Sequence, residues 1–140
     1  MEIETLAAAF VTSEETYESG DIIIEEGNKG DWVYVVLEGQ VKVTKKTSAG
    51  MLTIGILKRG AIFGEMSLFG STLKTRGASV IASDGPVRVG VLDSRQLIDD
   101  YESLSPRIRL LIKTLIMALR ESNEKAAALV VAASENQRKR

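Results

Sequence analysis

Two charged residues separated by a glycine-rich loop offer the clearest chemistry in this chain. Glu65 follows Phe63-Gly64 and precedes Met66-Ser67-Leu68, and Arg76 opens Arg76-Gly77-Ala78-Ser79-Val80. An ionised Glu side chain only accepts hydrogen bonds, so Glu65 suits hydroxyls and repels phosphate. An Arg carries a planar, always-charged fork that grips phosphate oxygens. Gly64 and Gly70 break an extended run, and Glu65 to Leu68 have room for about one helical turn. Such a turn exposes unpaired N–H groups at its start, which favours anions. The same stretch therefore reads as a phosphate grip beside a hydroxyl grip, or as a glycine-rich loop with a capping Glu and a surface Arg.

Composition narrows the remaining chemistry. There are 140 residues, no Cys, no His, 44% apolar content and a net charge of −1. Disulfides, thiol chemistry, zinc sites of the usual kind and the commonest general base are excluded. No metal ligand set and no catalytic residue is expected, and scattered carboxylates alone make an enzyme a poor third reading. The balanced charge gives no general attraction to nucleic acid or acidic membrane. The longest apolar run, Ala126 to Ala133, has eight residues, against roughly 20 for a membrane span. Residues 1–10 show no secretory signal, and a cytoplasmic protein is expected.

The surrounding elements must hold that stretch in place. Ile3, Leu6 and Phe10 are spaced as a short N-terminal helix. Thr16-Tyr17, Ile22 to Ile24, Trp32 to Leu37, Gln40 to Thr44, Met51 to Leu57, Ile81 to Gly85 and Val87 to Leu92 read as strands. Turns are expected at Glu38-Gly39, as a tight hairpin, at Lys58-Arg59-Gly60, and between Gly85 and Val87. Glu25 to Asp31 and Lys45 to Gly50 read as polar, solvated loops. About eight short strands with frequent turns predict a small β-barrel or jelly roll. The pattern then switches. Ser94 is a candidate cap for a helix from Arg95, and Ser105-Pro106 starts a helix expected to reach about Ala133, roughly 40 Å at 1.5 Å per residue.

Ile108, Ile112, Leu115, Leu119, Ser122, Ala126, Leu129 and Ala133 alternate in steps of four and three, the spacing of a coiled-coil seam. Leu111, Met117 and Ala118 lie beside that seam and are expected to pack on the barrel. The seam predicts a parallel homodimer, the other reading being an amphipathic helix docked on its own domain. The terminal Gln137 to Arg140 is polar and basic and reads as a frayed end.

Residues FGEMSL and RGASV resemble the phosphate-binding cassette of the cyclic-nucleotide-binding domains, as found in catabolite activators and cAMP-kinase regulatory subunits. GDIIIEEGNKGDWVYVVLEGQVKV carries that family's Gly-Asp, Glu-Gly and Tyr landmarks in order, and the resemblance covers about residues 16–125. It implies a mainly β, eight-stranded jelly-roll barrel (a double-stranded β-helix) with a short N-terminal helix and C-terminal helices, the last one long. The implied division is a binding barrel over 1–104 and a lid and dimerisation helix with a polar tail over 105–140.

The resemblance further implies that Glu65 holds the ribose 2′-hydroxyl while Arg76 and the N–H groups around Gly64, Met66, Gly77 and Ala78 hold the cyclic phosphate. Ser79 completes the expected ligand contacts, and Val43, Ile54 and Leu57 are expected to wall the pocket. Ser122 and Asn123 stand where the catabolite activators carry a Thr-Ser pair that touches the base. Gly77 lacks the hydroxyl associated with cGMP, so cAMP is the preferred ligand and cGMP the weaker one. The loop between Gly64 and Arg76 is longer by one or two residues than in close relatives, which makes Lys74 a second candidate cation. The helix-turn-helix of the transcription factors is missing, so no direct DNA binding is expected. The implied protein is a non-catalytic sensor that signals to an unknown protein partner; the alternatives are a dimerisation module with a degenerate pocket, or a regulatory fragment of a larger transcription factor, enzyme or channel.

Overall fold

Alternating and continuous runs of Val, Ile and Tyr become the strands of one antiparallel sheet, because β-branched and aromatic side chains pack well on a pleated surface. A computed structural model describes residues 9–27, 32–48, 50–64 and 78–138, with Arg120, Asn123 and Arg138 described by their backbone only. Six strands are described: β1 (Val11–Tyr17), β2 (Ile22–Ile24), β3 (Val33–Thr47), β4 (Gly50–Lys58), β5 (Ile62–Phe63) and β6 (Ser79–Leu92). They order as β1-β6-β3-β4, with β2 also on β6 and β5 also on β3. The expected N-terminal helix lies outside the described residues, apart from its last two positions.

The two long central strands replace turns that the local sequence predicts. Glu38-Gly39 is not a hairpin: β3 runs through it and pairs with β6 on both sides, from Val33↔Leu92 to Thr44↔Ser79. The register shifts there, so the strand bends without ending. Gly39 adopts φ 82°, and a Cβ at that position would meet the Pro86 carbonyl oxygen at 2.7 Å. The matching bend in β6 falls at Asp84-Gly85, both at positive φ, so the turn expected after Gly85 is likewise a bend within one strand. The polar loop expected over Lys45 to Gly50 is mostly strand, since β3 extends to Thr47 and β4 starts at Gly50.

The bends wrap the sheet around a valine-rich core. Val33, Val35, Val36, Val41, Val87 and Val89 are fully buried. On the outside Arg88 reaches Glu14 at 3.1 Å and Glu38 at 2.8 Å, joining β1, β3 and β6. The hydrogen bond from Arg88 holds the Glu38 carboxyl below its usual range.

Two helices follow. Helix α1 (Ser94–Glu102) is capped by Asp93, whose carboxylate accepts the Gln96 N–H; Ser94, the expected cap, is the first helical residue. Helix α2 (Pro106–Arg138) has 33 residues, about 50 Å at 1.5 Å per residue. It extends past Ala133, so Gln137 and Arg138 are helical and not a frayed end. Ser105 caps its start, accepting the Ile108 N–H at 3.4 Å, and the Tyr101 hydroxyl donates to the Arg109 carbonyl, fixing α1 to α2.

The half-buried stripe of α2 runs through Arg109, Ile112, Ile116, Ala127, Val131 and Ser134. Leu111 and Met117, expected on the barrel, are 58% and 57% exposed, and Ala118 is exposed as well. At 100° per residue these three positions point well away from the stripe that docks. No described helix is long and apolar enough to cross a membrane.

Candidate functional site

The chemistry-bearing segment is anchored at both ends on β3. At its start, β5 pairs Phe63 with Tyr34 and Ile62 with Val35. Phe63 is buried and stacks on Tyr34, ring centroids 5.1 Å apart, an offset contact that adds to the area each ring buries. Gly64 follows at φ 86°, which turns the chain out of β5 at a position where only glycine is unstrained. At the exit, Ala78 is half-buried, and β6 begins with Ser79 and Val80 opposite Thr44 and Val43.

Glu65, Met66, Arg76 and Gly77 lie outside the described residues, as does Lys74. The described candidates divide into three groups. Val43 and Leu57 are partly buried and pack against the core, Leu57 pairing with Val41 and Val43 with Gly55. Ile54 is half-buried and is the extra residue of a bulge, because β4 pairs Gly55 with Val43 and Thr53 with Thr44. These three expected wall residues thus lie on adjoining strands. Ser122 is exposed on α2, and only the backbone of Asn123 is described.

Ser79 is occupied in a way its sequence context does not reveal. It is buried, and its hydroxyl accepts the Glu26 N–H at 2.8 Å. Glu26 in turn accepts the Lys46 N–H at 2.9 Å and pairs with the Lys45 ammonium at 3.5 Å. The loop after β2, expected to be a solvated run of charges, therefore holds one acid turned back on the sheet. Thr44 sits opposite Ser79, 3% exposed, and its hydroxyl has no hydrogen-bond partner among the described residues. Such groups are uncommon because a buried unpaired hydroxyl forgoes its bonds to water. Sequence reading missed both Glu26 and Thr44. The Glu26-Gly27 landmark was the available signal for the first; nothing local marks the second.

The described geometry thus comprises Val43, Ile54 and Leu57 on adjoining strands, Gly64 at positive φ where the segment begins, and a hydrogen-bonded Ser79 where it ends. Comparisons with known proteins bear on what such a segment does. The family model "Cyclic nucleotide-binding domain" matches residues 14–102. The cGMP-dependent protein kinase egl-4 of Caenorhabditis elegans is 39% identical over 101 residues, 69% of this chain and 13% of the kinase. The cAMP-dependent protein kinase type II regulatory subunit of Drosophila melanogaster is 34% identical over 112 residues, 70% of this chain and 29% of that subunit. Among solved structures, the cAMP-bound form of the EAL enzyme Bd1971 is similar with a TM-score of 0.70 and 30% identity, covering 89% of this chain and 32% of that one. The cGMP-bound form of the same enzyme gives 0.68 and 25%, covering 90% and 33%. The chain spans no more than about a third of any of these proteins.

Proposed function

The chain belongs to the cyclic nucleotide-binding domain family, and from that premise we propose that it is a cAMP-preferring sensor with no catalytic step of its own. The carrying observation is that the family match runs from residue 14 to residue 102, across both halves of the binding motif. In this reading Glu65 takes the ribose 2′-hydroxyl. Arg76, with the N–H groups of Gly64, Met66, Gly77 and Ala78, takes the cyclic phosphate. Ser79 supports the segment's exit, and Val43, Ile54 and Leu57 face the ligand. The preference for cAMP over cGMP rests on Gly77, which has no hydroxyl, and on Ser122 and Asn123, which both donate and accept as adenine requires.

The finer architecture belongs to the same reading. On this reading the six described strands, two of them bent into two segments, count as an eight-stranded jelly roll within residues 1–104, which also include a short N-terminal helix. Residues 105–140 form the lid and output. The exposed apolar residues Ile108, Leu115, Leu119 and Leu129 support pairing of α2 with the α2 of a second copy. A downstream protein then reads the helix, in the cytoplasm and without direct DNA contact. The exposed seam also supports a second reading, in which dimerisation through α2 is the function and the pocket is degenerate, or the domain regulates a larger transcription factor, enzyme or channel.

One experiment separates these readings. Purified protein is denatured and the released small molecules are identified by mass spectrometry, and ligand-free protein is then titrated with cAMP and cGMP. Release or binding of cAMP ahead of cGMP is expected. Binding of neither by folded, ligand-free protein would leave the dimerisation module.

A further inference from the structure

We propose that Glu26 is a latch that couples the exit of the binding segment to the far end of α2. The inference rests on the sensor reading for what drives it, but the latch itself is built from described contacts.

Ser79 opens β6 three positions after Arg76, so a shift of the bound segment reaches its backbone first. Its hydroxyl holds the Glu26 N–H at 2.8 Å. The Glu26 carboxylate spreads over two neighbours on β3, one oxygen accepting the Lys46 N–H and the other facing Lys45. Immediately beyond Thr47, the Ser48 hydroxyl donates to the Glu135 carboxylate at 3.4 Å, at the last turns of α2. Ser79, Glu26, the 46–48 backbone and Glu135 thus form a contiguous route, the kind of physical chain through which coupling travels. The ion pair between Lys45 and Glu26 is partly exposed and contributes little by itself; the backbone bond to Lys46 is what ties the loop to the strand.

Thr44 gives the route two states to move between. Its hydroxyl is buried beside Ser79 and, like Arg109 Nε, has no hydrogen-bond partner among the described residues. A small displacement of Ser79 or of the Glu26 loop that supplies a partner gains a hydrogen bond. Val43 and Val80 pack toward the core, so by strand alternation Thr44 and Ser79 lie on the opposite side of the sheet from them, next to the Glu26 loop.

The test is hydrogen exchange on the full chain, for the parent, Glu26→Ala, Glu26→Gln and Ser48→Ala, with and without cAMP. Without ligand, Glu26→Ala should speed exchange about tenfold in residues 44–48 and in residues 131–137, equivalent to about 1.4 kcal/mol. Glu26→Gln keeps an acceptor for Lys46 and should fall between. Ser48→Ala, which removes only the surface contact to Glu135, should loosen residues 131–137 alone. With cAMP, the parent should change protection in 131–137, and both alanine variants should bind cAMP within a few-fold of the parent yet lose that distant change. Ligand-free exchange at the helix end that ignores both alanine variants would overturn the latch. So would a full cAMP response at the helix end in Glu26→Ala. A parent that binds no cyclic nucleotide defeats the sensor reading instead, and the ligand-free comparison still decides the latch.

Discussion

Arg76 and Thr44 carry the sharpest expectations for single residues. A hydrogen bond to a charged group is worth about 1.5–3 kcal/mol, so losing a two-point phosphate grip should weaken cAMP binding roughly 100- to 20,000-fold in Arg76→Ala. Arg76→Lys keeps charge without the fork and should lie between. Isothermal titration decides this, and an Arg76→Ala variant that binds like the parent would move the phosphate contact to Lys74 or backbone. Thr44→Val has the opposite sign. It replaces a buried hydroxyl that has no partner among the described residues by a methyl of similar shape, which should stabilise the ligand-free protein by about 1–3 kcal/mol. A urea melt showing equal or lower stability for Thr44→Val would mean that the hydroxyl has a partner after all.

The bent strands and the long helix set the expectations for elements. β3 turns at Gly39 with positive φ while the Pro86 carbonyl sits where a Cβ would go. Gly39→Ala must strain the backbone and displace that carbonyl, at a cost of about 1–3 kcal/mol. Gly55 is the control position, because φ is not positive there and nothing lies within 4 Å of the place a Cβ would take. A thermal melt should separate Gly39→Ala from Gly55→Ala by several degrees. On α2, Leu119 is 51% exposed on the proposed seam, one heptad after Ile112 and so at the edge of the docked stripe. Leu119→Glu would place like charges against each other in a parallel pair. Sedimentation should show a dimer for the parent and a monomer for the variant, and an unchanged mass would place any self-association elsewhere.

For the molecule as a whole, ligand occupancy should appear as stability. A ligand at about 100 times its dissociation constant adds roughly 2.7 kcal/mol by mass action, which for a domain of this size raises the melting temperature by roughly 5–10 °C. A melting scan of ligand-free protein with cAMP, cGMP and AMP checks the size and the order of the effect, and no shift with any of them would defeat the sensor reading. Whether α2 is the output depends on its affinity difference for ligand in its two arrangements, since a ligand moves an equilibrium only by that difference.

Local signals along the chain were enough for most of the element types. Glu65 and Arg76 at their spacing, with the glycines between, pointed to an anion beside a hydroxyl. Runs of β-branched residues followed by a capped, proline-started helix pointed to strands and then α2, because these signals are short-range and periodic. Whether a turn-like dipeptide ends a strand is settled only in the folded sheet. Glu38-Gly39 and Asp84-Gly85 look like hairpin tips, but each faces the other's strand and the ladder continues across both. The side of α2 that docks is settled there too: Leu111 and Met117 are as apolar as Ile112 and Ile116, yet only the latter pair falls on the half-buried stripe. The Glu26 carboxylate and the Thr44 hydroxyl became visible in the same way, since the groups around them, Ser79 and Lys46, lie 53 and 20 residues from Glu26 along the chain and meet it only when the sheet closes.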